Sequence, residues 1–332
     1  MMRVRVIGAG AFGTALAAVL ARAGHEVLLE ARREEVVDTV MSSRCNPAYL
    51  GDIILPPMQA TADANAAVAF GAELIVLAVP AQTVRSAADK LAEEDAAPPV
   101  ILAAKGIDRA TGQPLSDLLT ERFGSAQEKN SSRRTFGVLS GPSFATDIAL
   151  GLPTAVALAA PTITEAETLA AAFAGSNVRC YASDDVRGVE LGGALKNVLA
   201  IGAGIVSGRE LGASAQAALV TRGLVEMRRL AVALGARAET LNGLSGLGDL
   251  ILTCASEQSR NFAYGAAVGR GASREGLKLA EGVATAAVAC MLAAKHGIDV
   301  PLMSAVSAVL DERLTVDAAV AALMERPLKN EP

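Results

Sequence analysis

The sequence has no tryptophan, three tyrosines, seven phenylalanines and two histidines among its 332 residues. Scarce aromatics beside 31 glycines and an apolar share of 52% argue against a β-sandwich and for closely packed helices joined by tight turns. Both histidines, His25 and His296, sit next to glycine in contexts that read as helix ends, which disfavours a histidine acid or base. Cys45, Cys180, Cys254 and Cys290 are isolated, with no CxxC pair and no neighbouring histidine, so neither a zinc site nor a disulfide framework is expected, and no metal. No basic run stands out and the net charge is −5, which sets aside nucleic acid as a partner. The first residues lack the basic, apolar and cleavage segments of a secretory leader, so a cytoplasmic protein is expected. The most apolar long stretch, residues 189–207, carries Glu190 and Lys196 and several glycines, which a bilayer disfavours; it is expected to be a buried helix and not a membrane span.

The length calls for two domains, since a single core stops growing below it. Residues 4–8 form a short β-type run ending in glycine, residues 15–23 read as helix and residues 26–30 as a second strand. Further strands are predicted at 73–79, 100–104, 136–139 and 154–158, with a helix at 83–93 and a turn at Ser140-Gly141-Pro142-Ser143. Strands alternating with helices predict a Rossmann-like, doubly wound parallel α/β sheet over residues 1–186. The polar stretch 124–134 reads as a surface loop within it. Beyond residue 186 the strand pattern stops, and an all-α substrate and catalytic domain is expected over 187–332.

Gly8-Ala9-Gly10-Ala11-Phe12-Gly13 follows the first strand and opens the first helix, the setting in which GxGxxG signals a dinucleotide. Gly8 permits the tight turn, Gly10 lets the backbone approach a pyrophosphate and Gly13 lets helix and strand pack closely, while free N–H groups at the helix start meet the anion. The end of the second strand reads Leu29-Glu30-Ala31-Arg32-Arg33. Strand alternation puts Glu30 and Ala31 on opposite faces, so only one of them meets the adenosine ribose. With Ala31 there, Arg32 and Arg33 clamp the extra phosphate of NADP; with Glu30 there, NAD is favoured. The paired arginines tilt the reading to NADP, although Arg32-Arg33-Glu34-Glu35 also reads as a solvated helix start.

With histidine set aside, lysine is the natural proton donor for hydride-transfer chemistry. Lys196 lies in an apolar helix with Gly193 and Gly192 three and four residues back, which predicts open space for a ligand beside its stem. Asp249 stands in the neutral, glycine-rich run 243–253 and needs a cation; facing Lys196, it would hold the ammonium charged and oriented. Thr253 follows one helical turn later on the same face. Ser259-Arg260-Asn261 offers a hydroxyl, a five-donor fork and an amide suited to a phosphate monoester, with a helix cap as the bland alternative.

These segments together resemble the bacterial NAD(P)-dependent glycerol-3-phosphate dehydrogenase family along nearly the whole chain. The resemblance rests on GAGAFGTALA from Gly8, NPAYL at 46–50, AVPAQ from Ala78, AAKGI around Lys105, LSGPSFA from Leu139, GGALKNVLAIGAGI from Gly192, GLSGLGDLILTC from Gly243, SRN at Ser259 and AEG at Ala280. It implies reversible reduction of dihydroxyacetone phosphate to sn-glycerol 3-phosphate for phospholipid synthesis, a small phosphate substrate, NADP or NAD as cofactor, and a homodimer. It further implies Lys196 as the general acid and base, with Lys105, Gly141, Ser143, Asp249, Ser259, Arg260 and Asn261 on the substrate; Asn197 and Thr253 are counted with them. Ala11, Phe12, Arg32, Arg33, Tyr49, Lys105, Ala145, Arg260, Leu279 and Glu281 would line the dinucleotide. The chain departs from the family in having Glu30 where a tryptophan is common.

Two other readings compete. The GGxxK element also resembles 3-hydroxyacid dehydrogenases, which have asparagine four residues after the lysine, where this chain has Ala200. A non-catalytic NADP sensor is the third, and it has no use for a buried lysine, a lone aspartate and an anion cluster together.

Overall fold

The computed structural model describes residues 1–124, 134–273, 275–277 and 280–327, so most of the loop expected at 124–134 lies outside the described residues. The chain divides into two compact units, Met1–Glu190 and Leu191–Pro332.

In the first unit, eight strands form one sheet: β1 (Arg3–Ile7), β2 (Glu26–Glu30), β3 (Gln59–Thr61), β4 (Leu74–Leu77), β5 (Val100–Leu102), β6 (Phe136–Ser140), β7 (Thr154–Ala159) and β8 (Val178–Ser183). They lie in the order β3-β2-β1-β4-β5-β6-β7-β8. Every pairing is parallel except β6 with β7, where Leu139 opposes Leu158 in an antiparallel ladder. That pair corrects the all-parallel expectation. After β6 the chain turns at Gly141 (φ 148°), forms only the short helix Ala145–Ala149 and re-enters beside the strand it left, without a full crossover. The alternation of each strand supplies two cores. Val4, Val6, Val27 and Leu29 pack against the helix Ala11–Arg22 on one face. Ile75, Leu77, Val100 and Leu102 pack against the helices Val84–Ala92 and Leu115–Phe123 on the other. Because β2 and β4 flank β1 and the connections leave in opposite directions, the carboxyl ends of β1 and β4 form the switch point at which such sheets take ligands.

The second unit is helical, with no strand among its described residues. Its central element is the helix Val186–Gly208, which begins within the first unit and is apolar on nearly every side. By length and composition it could cross a membrane, but its apolar window is wholly buried within the protein. Leu195, Val198 and Leu199 are fully buried there, each contributing roughly 1.5–3 kcal/mol over exposure. Glycine lets its neighbours come to backbone distance. A Cβ at Gly204 would stand 2.1 Å from the Phe262 carbonyl oxygen and one at Gly208 2.1 Å from that of Ala266. In return, a Cβ at Gly265 would stand 2.0 Å from the Ile201 oxygen and one at Gly269 2.4 Å from that of Ile205. Two small-xxx-small stripes, Gly204/Gly208 and Gly265/Gly269, thus face each other across the 186–208 helix and the helix Arg260–Gly269.

Both histidines terminate helices. His25 accepts from the Met2 N–H through Nδ1 (3.2 Å) and sets Nε2 2.8 Å from the Ala172 carbonyl, while His296 caps the helix Glu281–Lys295.

Candidate active site

The first unit holds a backbone cradle. Gly8 has φ 109°, and a Cβ there would lie 2.6 Å from the Ala78 carbonyl oxygen at the end of β4; at Gly13 it would lie 1.9 Å from the Gly8 oxygen. Both positions are closed to any side chain. Gly10, by contrast, has open space beside it and caps the 11–22 helix with no side chain bonded to the first N–H groups. Two crowded glycines around an open one at a helix start fit a dinucleotide pyrophosphate. Asn46 braces this turn from beneath: fully buried, it donates through Nδ2 to the Ala9 carbonyl (3.1 Å) and the Thr14 hydroxyl (2.8 Å). Sequence reasoning gave it no role beyond its place in the NPAYL segment, since its partners lie more than thirty residues away.

Several expected residues gather near the carboxyl ends of the strands. The Lys105 ammonium lies over the Phe12 ring (5.6 Å) and donates to the Gly141 carbonyl (3.1 Å), to which Ser143 also donates (2.8 Å). Gly141 has no room for a side chain, since a Cβ would meet the Val156 Cα at 2.9 Å. Ala145 opens the short helix that packs on the 11–22 helix, and Ala11 and Phe12 are its first residues. Arg33 stacks over Tyr49 (5.5 Å), and Arg32 and Arg33 are exposed with no carboxylate partner among the described residues. The two residues weighed at the end of β2 differ in their packing. Ala31 is buried, whereas the Glu30 carboxylate accepts from Arg5 Nε at 2.7 Å.

The second unit holds a buried charge cluster of its own. Lys196, 6% exposed, donates through Nζ to Asp249 Oδ1 (2.6 Å) and to the Thr253 hydroxyl (2.6 Å), which in turn donates to Asp249 (3.2 Å). The approach depends on a wide π-helical turn, Leu244–Gly248, that leads into the helix Asp249–Thr253. Gly192 allows it: a Cβ there would lie 2.7 Å from the Ser245 carbonyl oxygen. The open space expected beside the lysine stem at Gly192 is therefore filled by backbone, which corrects the sequence reading at that glycine. An ion pair so far removed from water is sustained only by close geometry and added hydrogen bonds, and Thr253 supplies one. Burial pushes the neighbouring Cys254 thiol up to about 12, against the pull of Lys196, so the cluster contains no competing thiolate.

Asn197 and Asn261 meet at 3.0 Å, and the Asn261 oxygen accepts from the Gly282 N–H at 2.9 Å, joining three helices beside the lysine. Ser259 is buried and caps the 260–269 helix by accepting from the Phe262 N–H (3.2 Å), the structural role weighed against phosphate binding. Arg260 is exposed at the first position of that helix. Glu281 opens the 281–295 helix, half-buried, and Leu279 lies outside the described residues.

Two family profiles cover most of the chain. Residues 3–166 match the NAD-dependent glycerol-3-phosphate dehydrogenase N-terminus and residues 185–321 the C-terminus. The glycerol-3-phosphate dehydrogenase [NAD(P)+] of Mesorhizobium japonicum is 53% identical over 99% of this chain and 94% of its own, and that of Brucella ovis 50% identical over 99% of both. Among solved structures, glycerol-3-phosphate dehydrogenase from Coxiella burnetii superposes with a TM-score of 0.89 at 37% identity, covering 98% of this chain and 99% of its own.

Proposed function

This chain belongs to the NAD-dependent glycerol-3-phosphate dehydrogenase family, and from that premise we propose that it interconverts dihydroxyacetone phosphate and sn-glycerol 3-phosphate, with NADPH preferred to NADH. The observation that carries the reading is the buried Lys196–Asp249–Thr253 cluster, a lysine held by a carboxylate and a hydroxyl inside an apolar helical unit. When bound, the dinucleotide supplies a hydride to C2 of the ketone. Lys196 gives its proton to the C2 oxygen as the negative charge develops and is reprotonated from solvent; in the reverse direction it takes the alcohol proton. Asp249 and Thr253 fix the ammonium direction, so that proton transfer needs no search over lysine rotamers. Lys105 and Arg260 are the cations assigned to the substrate, with Arg260 and Asn261 on its phosphate and Gly141, Ser143, Asn197 and Ser259 shaping the site. Arg32 and Arg33 take the adenosine 2′-phosphate, and Tyr49 supports Arg33 by stacking. The product is a precursor for glycerophospholipids, and the enzyme acts as a cytoplasmic homodimer.

NAD(P)H oxidation followed by absorbance, with each cofactor and with dihydroxyacetone phosphate or tartronate semialdehyde as acceptor, tests the proposal. Consumption only with the ketone phosphate, faster with NADPH at low cofactor, is the expected result. Turnover of the semialdehyde alone would assign the fold to 3-hydroxyacids, and turnover of neither would leave a cofactor-binding protein.

A further inference from the structure

The end of β2 is where an acidic side chain ordinarily accepts from the ribose hydroxyls and repels a 2′-phosphate. Glu30 is the last residue of that strand, and its backbone oxygen accepts from the Gly8 N–H at 3.0 Å, so it stands at the level of the glycine turn. Its side chain, about a fifth exposed at 22%, is turned to the opposite side of the sheet from the 11–22 helix, the side that it shares with Arg5 and Ile7 through the register Ile7↔Glu30. There the Arg5 Nε donates to Glu30 Oε2 at 2.7 Å, and a second guanidinium nitrogen donates to Glu94 Oε1 at 2.8 Å. Arg5 is 6% exposed and held by β1, so it cannot follow a carboxylate that swings outward without leaving Glu94.

We propose that Arg5 is a positioning residue for cofactor choice: by holding and neutralising Glu30 it keeps the carboxylate at the end of β2 from reading a ribose hydroxyl and repelling a 2′-phosphate, leaving Arg32 and Arg33 to select NADPH. This rests on the dinucleotide reading above but not on the substrate, because its test is binding. Dissociation constants for NADPH and NADH are measured by fluorescence titration on the purified full chain, with circular dichroism and thermal melting as checks on folding. Arg5→Gln is expected to weaken NADPH about tenfold while NADH binds as well or better, a shift equivalent to one freed opposing charge. Arg5→Gln with Glu30→Gln restores the NADPH affinity. Glu30→Gln alone leaves NADH within about twofold, since no ribose contact is lost. An unchanged NADPH to NADH ratio in folded Arg5→Gln overturns the proposal. So does a loss of NADH affinity of about fivefold or more in Glu30→Gln, which would mean that the carboxylate reaches the ribose despite Arg5; this arm decides alone if Arg5→Gln does not fold. Failure to turn over dihydroxyacetone phosphate would sink the substrate assignment and leave these binding results standing.

Discussion

The glycine turn of the first unit and the glycine-lined helix of the second use one residue type for opposite ends. At Gly10 the missing side chain leaves open space; at Gly192, Gly204 and Gly208 it removes room, so that a neighbouring backbone takes the place a Cβ would have. Gly8 bends the chain, as its φ of 109° requires, whereas Gly192, Gly204 and Gly208 lie within a continuous helix and are demanded by contact alone. A glycine-rich run near a buried lysine is therefore not by itself a pocket. In this chain the run brings Asp249 under Lys196 by letting the Ser245 backbone pass against the helix.

Substitution with alanine separates the two uses. Gly265→Ala sets a methyl group against the Ile201 carbonyl, backbone on backbone, and is expected to cost about 3 kcal/mol or more, read from chemical denaturation. An unperturbed midpoint would break the contrast.

A comparable effect is expected where the same long helix begins in the first unit. Glu190 is buried, accepts from the Ser116 N–H at 2.9 Å and from its hydroxyl, and is pushed from 4.5 up to about 7, mainly by burial and against those hydrogen bonds. The folded state thus favours the protonated carboxyl. Its contribution is full below the unfolded value of 4.5 and is lost as pH rises to about 7, an order of about 3 kcal/mol. Glu226, buried and accepting from the Leu302 and Met303 N–H groups, is likewise pushed up to about 7 by burial and adds a similar slope. Glu190→Gln should therefore flatten part of the decline in stability between pH 4.5 and 7 and raise Tm above pH 7. A variant with the parent's pH dependence would show that the site is already hydrated.

The smallest expected effect on folding comes at the turn. Gly10 has φ −73° and nothing within 4 Å of a Cβ, so Gly10→Ala should not lower Tm, yet it should weaken NADPH by about tenfold, or about 1.4 kcal/mol. A drop in stability with unchanged affinity would make this glycine structural like the others.

The sequence carried the first unit well where an apolar run ends in glycine: β1 lies at Arg3–Ile7, directly before Gly8, and β2 at Glu26–Glu30, where the strand was expected. It carried less where tertiary pairing decides. The three-residue β3 has no apolar run of its own, and the antiparallel entry of β7 depends on how a short connection packs. The Lys196–Asp249 meeting was legible because each charge is flanked mainly by apolar and glycine residues and needs a partner, although 53 residues separate them. Asn46, Arg5 and the closed gap at Gly192 were not, since each is defined by what lies across the fold.

Removing the Lys196 ammonium tests its role as proton donor. The most direct measurement is the turnover of dihydroxyacetone phosphate by Lys196→Ala, with NADPH affinity determined on the same sample. A fall in kcat of about 10²–10⁴-fold is expected, with the NADPH Kd held within about twofold. Turnover near that of the parent enzyme, with the protein folded and NADPH bound, would contradict it.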